Sequence, residues 1–299
     1  MACSLSELRH VASVRSVAIL LIAPCAACLA QNAIQNVVVT SGASFQVGLP
    51  AKGSIGTIFC TGLNVQGIVA APAVPLPFTL AGVTVTVGGA PAPLFAVAAL
   101  TGYQQINFEV PQEAQISSNG TWQVVVQQNG GQSPSITEMS STPGDFFLIP
   151  GTRYGIFQHG ADFSLVTKTH PARPGEILVG YLTGLPEAVP TPATGQAAPL
   201  NPPAIVPQPD DGGDVSIFYL VLNGTTQISN QASPGSIPFL GMSPGSVGLY
   251  QINFVLPMNP GPGDAQIKLE RFACSHIFAS CTPAAGQTTD GATVLLPIG

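Results

Sequence analysis

The sequence has little charge. Only 7% of its 299 residues are Asp, Glu, Lys or Arg, whereas about a quarter is usual in globular proteins. The formal net charge is −6, and the 8 Lys and Arg residues are scattered along the chain. A protein that binds nucleic acid or an anionic membrane surface needs a cluster of basic side chains. We therefore expect no nucleic-acid partner.

Aromatic residues are also few, at 7%, yet 45% of the chain is hydrophobic, which is enough to form a core and argues against disorder. The 33 Gly and 29 Pro suit tight turns and disfavour long helices. No stretch after the first 30 residues has a sustained helical period. The composition therefore indicates short strands joined by turns.

The N-terminus has the pattern of a secretion signal. Arg9, His10 and Arg15 precede an uncharged stretch that ends in the small residues before Gln31. We predict a signal peptide over residues 1–30 in preference to a membrane anchor, because the apolar stretch is shorter than the ~20 residues that cross a bilayer. We also expect no transmembrane span in the mature chain. A retained anchor and a lipid anchor at Cys28 are the alternatives. The protein is then secreted or held in the cell envelope: periplasm, surface or medium.

Cysteine is scarce, and three of the six lie in or beside this leader. Cys60 aligns with an apolar position of the repeat described below and is interpreted as a core residue. Cys274 and Cys281 are close enough in sequence for a local disulfide, which suits an oxidising compartment. Zinc bound by these two and His276 is the alternative, but a fourth ligand is missing nearby.

The mature chain contains an internal repeat. Four blocks recur in the same order: residues 42–45 and 160–163, 50–55 and 171–177, 59–63 and 181–185, and 103–111 and 249–257. We predict two diverged copies, over residues 31–150 and 151–299. The second is longer, mainly within 186–213 and 227–245, and these Pro- and Gly-rich insertions are expected to be surface loops.

Each copy has the pattern of an all-β unit. β-rich segments occur at 54–60, 82–87, 122–127, 215–222, 251–256 and 265–269, separated by turn signals such as Asn129-Gly130. Several short strands per 110 to 150 residues are typical of a sandwich. The predicted fold is two tandem immunoglobulin-like β-sandwich domains.

Several of these motifs also form a known pattern. Residues 75–95 with 103–111, Thr-Gly-Leu at 61–63 and 183–185, residues 171–176 and residues 248–253 resemble the uncharacterised C-terminal domain of many secreted acidobacterial (Solibacter-type) proteins. The resemblance spans nearly all of the mature chain and implies an exported bacterial protein with Ig-like repeats. It brings no catalytic residues. The second copy departs from the pattern at 274–281 and in its Pro-rich insertion.

Few motifs suggest catalysis. Gly241-Met242-Ser243-Pro244-Gly245 has the spacing of a nucleophile elbow, but a strand follows instead of a helix, and Pro244 has no N–H for an oxyanion hole, so we interpret it as a turn. His159 and His170 are expected to be solvated loop residues. Asp210, Asp211 and Asp214 on a Gly-rich loop are a candidate calcium site, with a solvated acidic turn as the alternative.

The sequence therefore favours a secreted, non-catalytic protein with a structural, adhesive or binding role and an unknown protein or glycan partner. Its function is expected in the loops at 186–213 and 227–245. A carbohydrate-binding module that uses Tyr219, Tyr181 or Trp122 is the second hypothesis, although packing is the favoured role of Trp122. A hydrolase with a loop-built site is the third.

Overall fold

The computed structural model describes residues 33–139, 144–185, 188–207, 215–224, 226–228, 235–261, 263–274 and 288–299. Within these ranges the regular secondary structure consists of β-strands, without helices. Every pair of strands that hydrogen-bond to each other is antiparallel. The prediction of an all-β fold is confirmed. The predicted leader lies outside the described residues and stays a prediction.

The first half forms two sheets. Its strands are β1 Gln35–Ser41, β2 Ile55–Thr61, β3 Ile68–Ala70, β4 Val83–Val87, β5 Ala90–Ala92, β6 Leu94–Leu100, β7 Tyr103–Glu109, β8 Thr121–Gln128, β9 Gly131–Gln132 and β10 Ile136–Met139. Sheet 1 has the order β1-β2-β7-β6-β3, and sheet 2 has the order β10-β8-β4-β5, with β9 beside β8. Together they are called sandwich 1.

The second half also forms two sheets. Its strands are β11 Asp145–Phe146, β12 Phe157–His159, β13 Ile177–Thr183, β14 Val215–Leu222, β15 Thr226–Ile228, β16 Phe239–Met242, β17 Tyr250–Val255, β18 Gly263–Cys274, β19 Thr288–Asp290 and β20 Val294–Ile298. Sheet 3 has the order β11-β13-β17-β16, with β12 beside β13, and sheet 4 has the order β15-β14-β18-β19, with β20 beside β18. Together they are called sandwich 2.

The core of sandwich 1 follows from strand alternation. Val83, Val85 and Val87 of β4 are fully buried, whereas the threonines between them are half-buried. They pack with Ile106 and Phe108 of sheet 1 in one apolar cluster. Burying such a side chain stabilises the fold by about 1.5–3 kcal/mol, so the inward faces hold the two sheets together.

Sandwich 2 has a separate core, and part of it comes from the insertions. Phe157, Tyr250 and Phe254 of sheet 3 pack against the apolar face of sheet 4. Ala204 and Val206, from the 186–213 insertion, are also fully buried in this cluster. The prediction that the insertions are surface loops is wrong for these residues, because their small apolar side chains fill the space beside β16. That strand lies within 227–245 and pairs with β17.

Backbone hydrogen bonds recur at equivalent positions of the two halves. Examples are Gly42 N to Ile55 O (2.9 Å) with Gly160 N to Ile177 O (2.8 Å), and Gly53 N to Val110 O (2.8 Å) with Gly175 N to Leu256 O (2.9 Å). These bonds support the two-copy division, which stays a prediction. Strand β11 pairs with β13, so residues 145 and 146 join sheet 3 although the predicted boundary follows residue 150.

Hydrogen bonds join the two sandwiches within one compact unit, Asn32–Gly299. The N–H of Ile55 donates to Thr183 Oγ1 (2.8 Å), and the N–H of Gly184 donates to Ser54 Oγ (3.1 Å). The residues at the start of β2 are therefore hydrogen-bonded to the Thr-Gly-Leu motif at 183–185. In the described part of the chain no helix is long and apolar enough to cross a membrane.

Candidate functional site

The outward side of sheet 1 carries three aromatic side chains in contact. The ring of Phe59 meets those of Phe45 and Tyr103 edge to face, each with 5.6 Å between ring centroids. Phe45 is 51% exposed and Tyr103 41% exposed. We call Phe45, Phe59 and Tyr103 the aromatic face. Exposed aromatic clusters of this kind mark binding surfaces more often than isolated apolar residues do.

Phe45 reaches Phe59 through an unusual backbone conformation. Its φ is +57°, in the left-handed region that bulky residues rarely adopt. The N–H of Gln46, the next residue, donates to Ser44 Oγ (3.2 Å), which closes a tight turn. Phe163, which aligns with Phe45 in the predicted repeat, has the same φ of +57°. The turn therefore directs one exposed phenylalanine outward in each half.

An amide pair lies beside the aromatic face. Gln105 stands directly opposite Phe59 in the sheet, and its Nε2 donates to Asn107 Oδ1 (2.8 Å). The hydroxyl of Thr57 donates to the same oxygen (3.0 Å). Among the described residues, Gln105 Oε1 and Asn107 Nδ2 have no hydrogen-bond partner. The pair is thus held in place while one acceptor and one donor group stay available.

Sheet 3 carries a similar arrangement in which more of the polar groups are hydrogen-bonded. Tyr181 stands opposite Gln251, whose Nε2 donates to Asn253 Oδ1 (2.9 Å). The hydroxyl of Tyr181 donates to Gln158 Oε1 (2.8 Å), and that of Ser243 donates to Gln251 Oε1 (3.3 Å). Burial raises the pKa of Tyr181 above its usual value.

Three of these residues, Tyr181, Gln158 and Ser243, line a cleft between the two sandwiches, with a volume of about 720 Å³. Sandwich 1 contributes apolar side chains to it, including Ile55, Leu76 and Phe95, and sandwich 2 contributes Phe147, Ile156 and Leu249 beside Tyr181 and Ser243. A mainly apolar cleft with a few polar groups is a common form of ligand site. Here the polar side chains already hydrogen-bond to other side chains, so the cleft has fewer free donors and acceptors for a ligand than the surface around the aromatic face has.

The carboxyl group of Glu109 is buried where the second half reaches the first. Glu109 is 1% exposed, and its Oε2 accepts the N–H of Gly195 (2.5 Å). Burial raises the pKa of Glu109 to about 7, the Gly195 bond opposes that rise, and the charge of Glu113 adds to it. Thr194 also contributes, since its hydroxyl donates to Glu113 Oε2 (2.6 Å). These contacts fix the loop at 194–195 on sandwich 1.

The predicted ligand and disulfide residues lie largely outside the described ranges. Asp210, Asp211 and Asp214 are outside them, so the calcium site stays a prediction. Cys274 ends β18 opposite Val215, while Cys281 is outside, and the disulfide also stays a prediction. Within the ranges given above, no group of three or more His, Cys, Asp or Glu residues is placed to hold a metal ion.

The predicted roles of Cys60 and Trp122 are confirmed. Cys60 is 1% exposed with a free thiol, and burial raises its pKa to about 11. A thiol in this state is unreactive. Trp122 is also buried, its indole Nε1 has no hydrogen-bond partner in the described structure, and the Lys52 ammonium lies 5.7 Å from its ring centroid. Neither residue can act as a surface site in this fold.

One of the two histidines differs from expectation: His170 is an exposed loop residue, as predicted, whereas His159 is not. His159 is buried on β12, with its Nδ1 3.0 Å from Glu176 Oε2. Its ring stacks on that of His170, with 4.1 Å between centroids. Glu176 Oε1 also accepts the N–H of Arg173 (2.6 Å). The prediction that His159 is a solvated loop residue is wrong, because strand pairing turns its ring inward.

Ser243 lies in a turn, as predicted. Strand β16 ends at Met242 and β17 begins at Tyr250, so the Gly-x-Ser-x-Gly segment joins two antiparallel strands. The serine is buried, and its hydroxyl binds Gln251. A nucleophile elbow requires a helix after the serine, so this geometry does not form one.

Sequence reasoning missed the aromatic face and the amide pair. The signal was present in β2, where Phe59 lies between the core residues Ile58 and Cys60 and must point to the opposite side of the sheet. In β7, Gln105 and Asn107 flank the core residue Ile106 in the same way. Pairing β2 with β7 brings the two outward sets together.

No protein-family model and no curated protein matches the chain. Among solved structures it is similar to the C-terminal domain of the Streptococcus agalactiae AgI/II polypeptide BspA (10% identity, 87% of this chain and 98% of that chain, TM-score 0.19). It is also similar to the collagen adhesin (CNA) from S. aureus (9%, 89% and 94%, TM-score 0.18). A third is a putative membrane anchored protein from Corynebacterium diphtheriae (12%, 88% and 57%, TM-score 0.19).

Proposed function

We propose that the chain is an exported, non-catalytic β-sandwich repeat protein that binds a partner at the cell envelope or outside the cell. The observation that carries this proposal is the aromatic face. Phe45 and Tyr103 expose apolar rings to solvent, although both sandwiches have complete cores without them. Apolar area left in water has a free-energy cost of about 25 cal/mol per Å², which a bound partner would remove.

The contacts of the nucleophilic and acidic side chains support a non-catalytic role. Ser243 binds Gln251, Glu109 binds the backbone of Gly195, and His159 binds Glu176. Each of these groups is buried and has a structural partner. General acid–base or nucleophilic catalysis needs such a group within reach of a substrate.

Placing the site on sheet 1 changes the location expected from the sequence. Residues 188–207 of the first insertion contribute Ala188, Ala198, Ala204 and Val206 to the core of sandwich 2. Deleting the insertion would therefore damage that core and would not report on binding. Substitutions on the aromatic face leave both cores intact and are the better test.

The experiment is a sedimentation assay of the purified mature chain with envelopes isolated from the producing cells. We expect saturable binding that the double variant Phe59→Ala/Tyr103→Ala weakens at least tenfold. Phe163→Ala is the matched control, because it removes an exposed phenylalanine from the equivalent turn of the other copy. Equal affinity of the wild type and the double variant would contradict the proposal.

A further inference from the structure

We propose that the aromatic face and its amide pair bind a neutral glycan, with Phe59 and Tyr103 stacking on sugar rings and with Gln105 and Asn107 bonding to hydroxyls. This inference rests on the proposed function, since it names the ligand class for that surface.

The aromatic face provides the apolar half of such a site. A sugar ring presents a flat C–H surface on one side and hydroxyls around its edge. Phe59 is held between Phe45 and Tyr103 by two edge-to-face contacts with centroids 5.6 Å apart, so the aromatic surface is ordered before a ligand arrives. Aromatic side chains lose little conformational entropy on binding, which makes them effective anchors.

The amide pair provides the polar half. Neighbouring strands lie about 4.8 Å apart, so Gln105 on β7 is the immediate neighbour of Phe59 on β2. Asn107 Oδ1 accepts two hydrogen bonds, from Gln105 and Thr57, which fixes both amides. The Oε1 of Gln105 can then accept from a sugar hydroxyl, and the Nδ2 of Asn107 can donate to one.

Charge selects a neutral ligand. None of the side chains that form the surface has a carboxylate, ammonium, guanidinium or imidazole group: Phe45, Phe59, Tyr103, Gln105 and Asn107. The neighbouring acid, Glu109, is buried and bound to Gly195. A phosphate, a sulfated sugar or a uronic acid would find no cation among these five side chains, whereas an uncharged polyhydroxyl chain needs none.

The equivalent surface of sandwich 2 provides an internal comparison. Tyr181, Gln251 and Asn253 repeat the pattern, but the hydroxyl of Tyr181 binds Gln158 and Gln251 Oε1 accepts from Ser243. Tyr181 lines the cleft, together with its partner Gln158 and with Ser243. A sugar would have to displace existing hydrogen bonds there, so we assign the glycan to sheet 1 alone.

The test is affinity gel electrophoresis of the purified mature chain in gels that contain single polysaccharides. The neutral probes are mixed-linkage β-glucan, laminarin, galactomannan, dextran and soluble starch, and alginate is the anionic probe. We expect at least one neutral probe, and not alginate, to retard the chain. Phe59→Ala and Tyr103→Ala should each raise the Kd at least fivefold, and Asn107→Ala should raise it by a smaller factor.

Two further variants separate binding from folding. Tyr103→Phe keeps the ring and should retain retardation, while Phe163→Ala should bind as the wild type does. Absence of retardation by every neutral probe would overturn the inference, as would unchanged binding in Phe59→Ala or equal loss in Phe163→Ala. If envelope binding still depends on Phe59 while no neutral probe retards the chain, only the glycan assignment fails and the proposed function stands.

Discussion

Replacing Glu109 by Gln should make the protein less sensitive to rising pH. Glu109 is buried, and desolvation raises its pKa from an ordinary 4.5 to about 7. The folded state therefore binds a proton that the unfolded state releases between these values. The contribution of Glu109 to the free energy of unfolding is therefore fully present below about pH 4.5 and is lost as the pH rises to about 7. Glutamine keeps the oxygen that accepts the N–H of Gly195 but carries no charge.

The magnitude follows from the two pKa values. A pKa difference of one is worth 1.36 kcal/mol, so the rise from 4.5 to about 7 corresponds to about 3 kcal/mol. The quantity to compare is the free energy of unfolding of Glu109→Gln minus that of the wild type. We expect this difference to increase by about 3 kcal/mol between pH 4 and pH 8. Any packing cost of the amide is independent of pH and cancels.

Urea unfolding of both proteins at pH 4, 6 and 8, followed by circular dichroism, measures this difference. Most of the increase should occur between pH 4 and pH 7. Glu113→Gln is the control: Glu113 is exposed and makes the smallest of the three contributions to the pKa of Glu109, so its replacement should give a much smaller gain. A difference that stays constant with pH, or that falls as pH rises, would refute the burial of an ionisable Glu109 in this interface.

Three other predictions test the cores and the disulfide. The thiol of Cys60, with its pKa raised to about 11 by burial, should react with a thiol reagent only as the protein unfolds, and fast labelling of the native chain would contradict its placement. Gly56→Ala would put a Cβ 2.6 Å from Phe108 Cζ, so urea unfolding should show a loss of about 1–3 kcal/mol, whereas an unchanged midpoint would contradict the packing. Reduction of the predicted Cys274–Cys281 disulfide should lower the free energy of unfolding by about 2 kcal/mol, and mass spectrometry of the unreduced chain that finds both thiols alkylated would exclude the bond.

Strand positions could be predicted because local patterns determine them. The alternation of Val and Thr at 82–87 corresponds to β4, Val83–Val87. Asn129 and Gly130 both have positive φ and connect β8 to β9, as the Asn-Gly signal predicts. Each of these features depends on neighbouring residues alone, and sequence reports such features well.

The insertions and the candidate site depend on contacts between distant residues. The Pro- and Ala-rich composition of 186–213 indicates a surface loop, but Ala204 and Val206 fill a gap in a core made by other strands. Glu109 can be buried because Gly195, 86 residues later, supplies an N–H. In β2, alternation places Phe59 on the side opposite Ile58 and Cys60, but its contacts with Phe45 and Tyr103 form only when distant segments of the chain come together.

The most direct test of the binding surface is hydroxyl-radical footprinting of the mature chain, with and without envelopes from the producing cells. We expect the envelopes to protect Phe45 and Tyr103 from oxidation and to leave Phe163, which aligns with Phe45 in the predicted repeat, unchanged. Protection of Phe163 with full oxidation of Tyr103 would contradict this expectation, because the partner would then bind elsewhere on the chain.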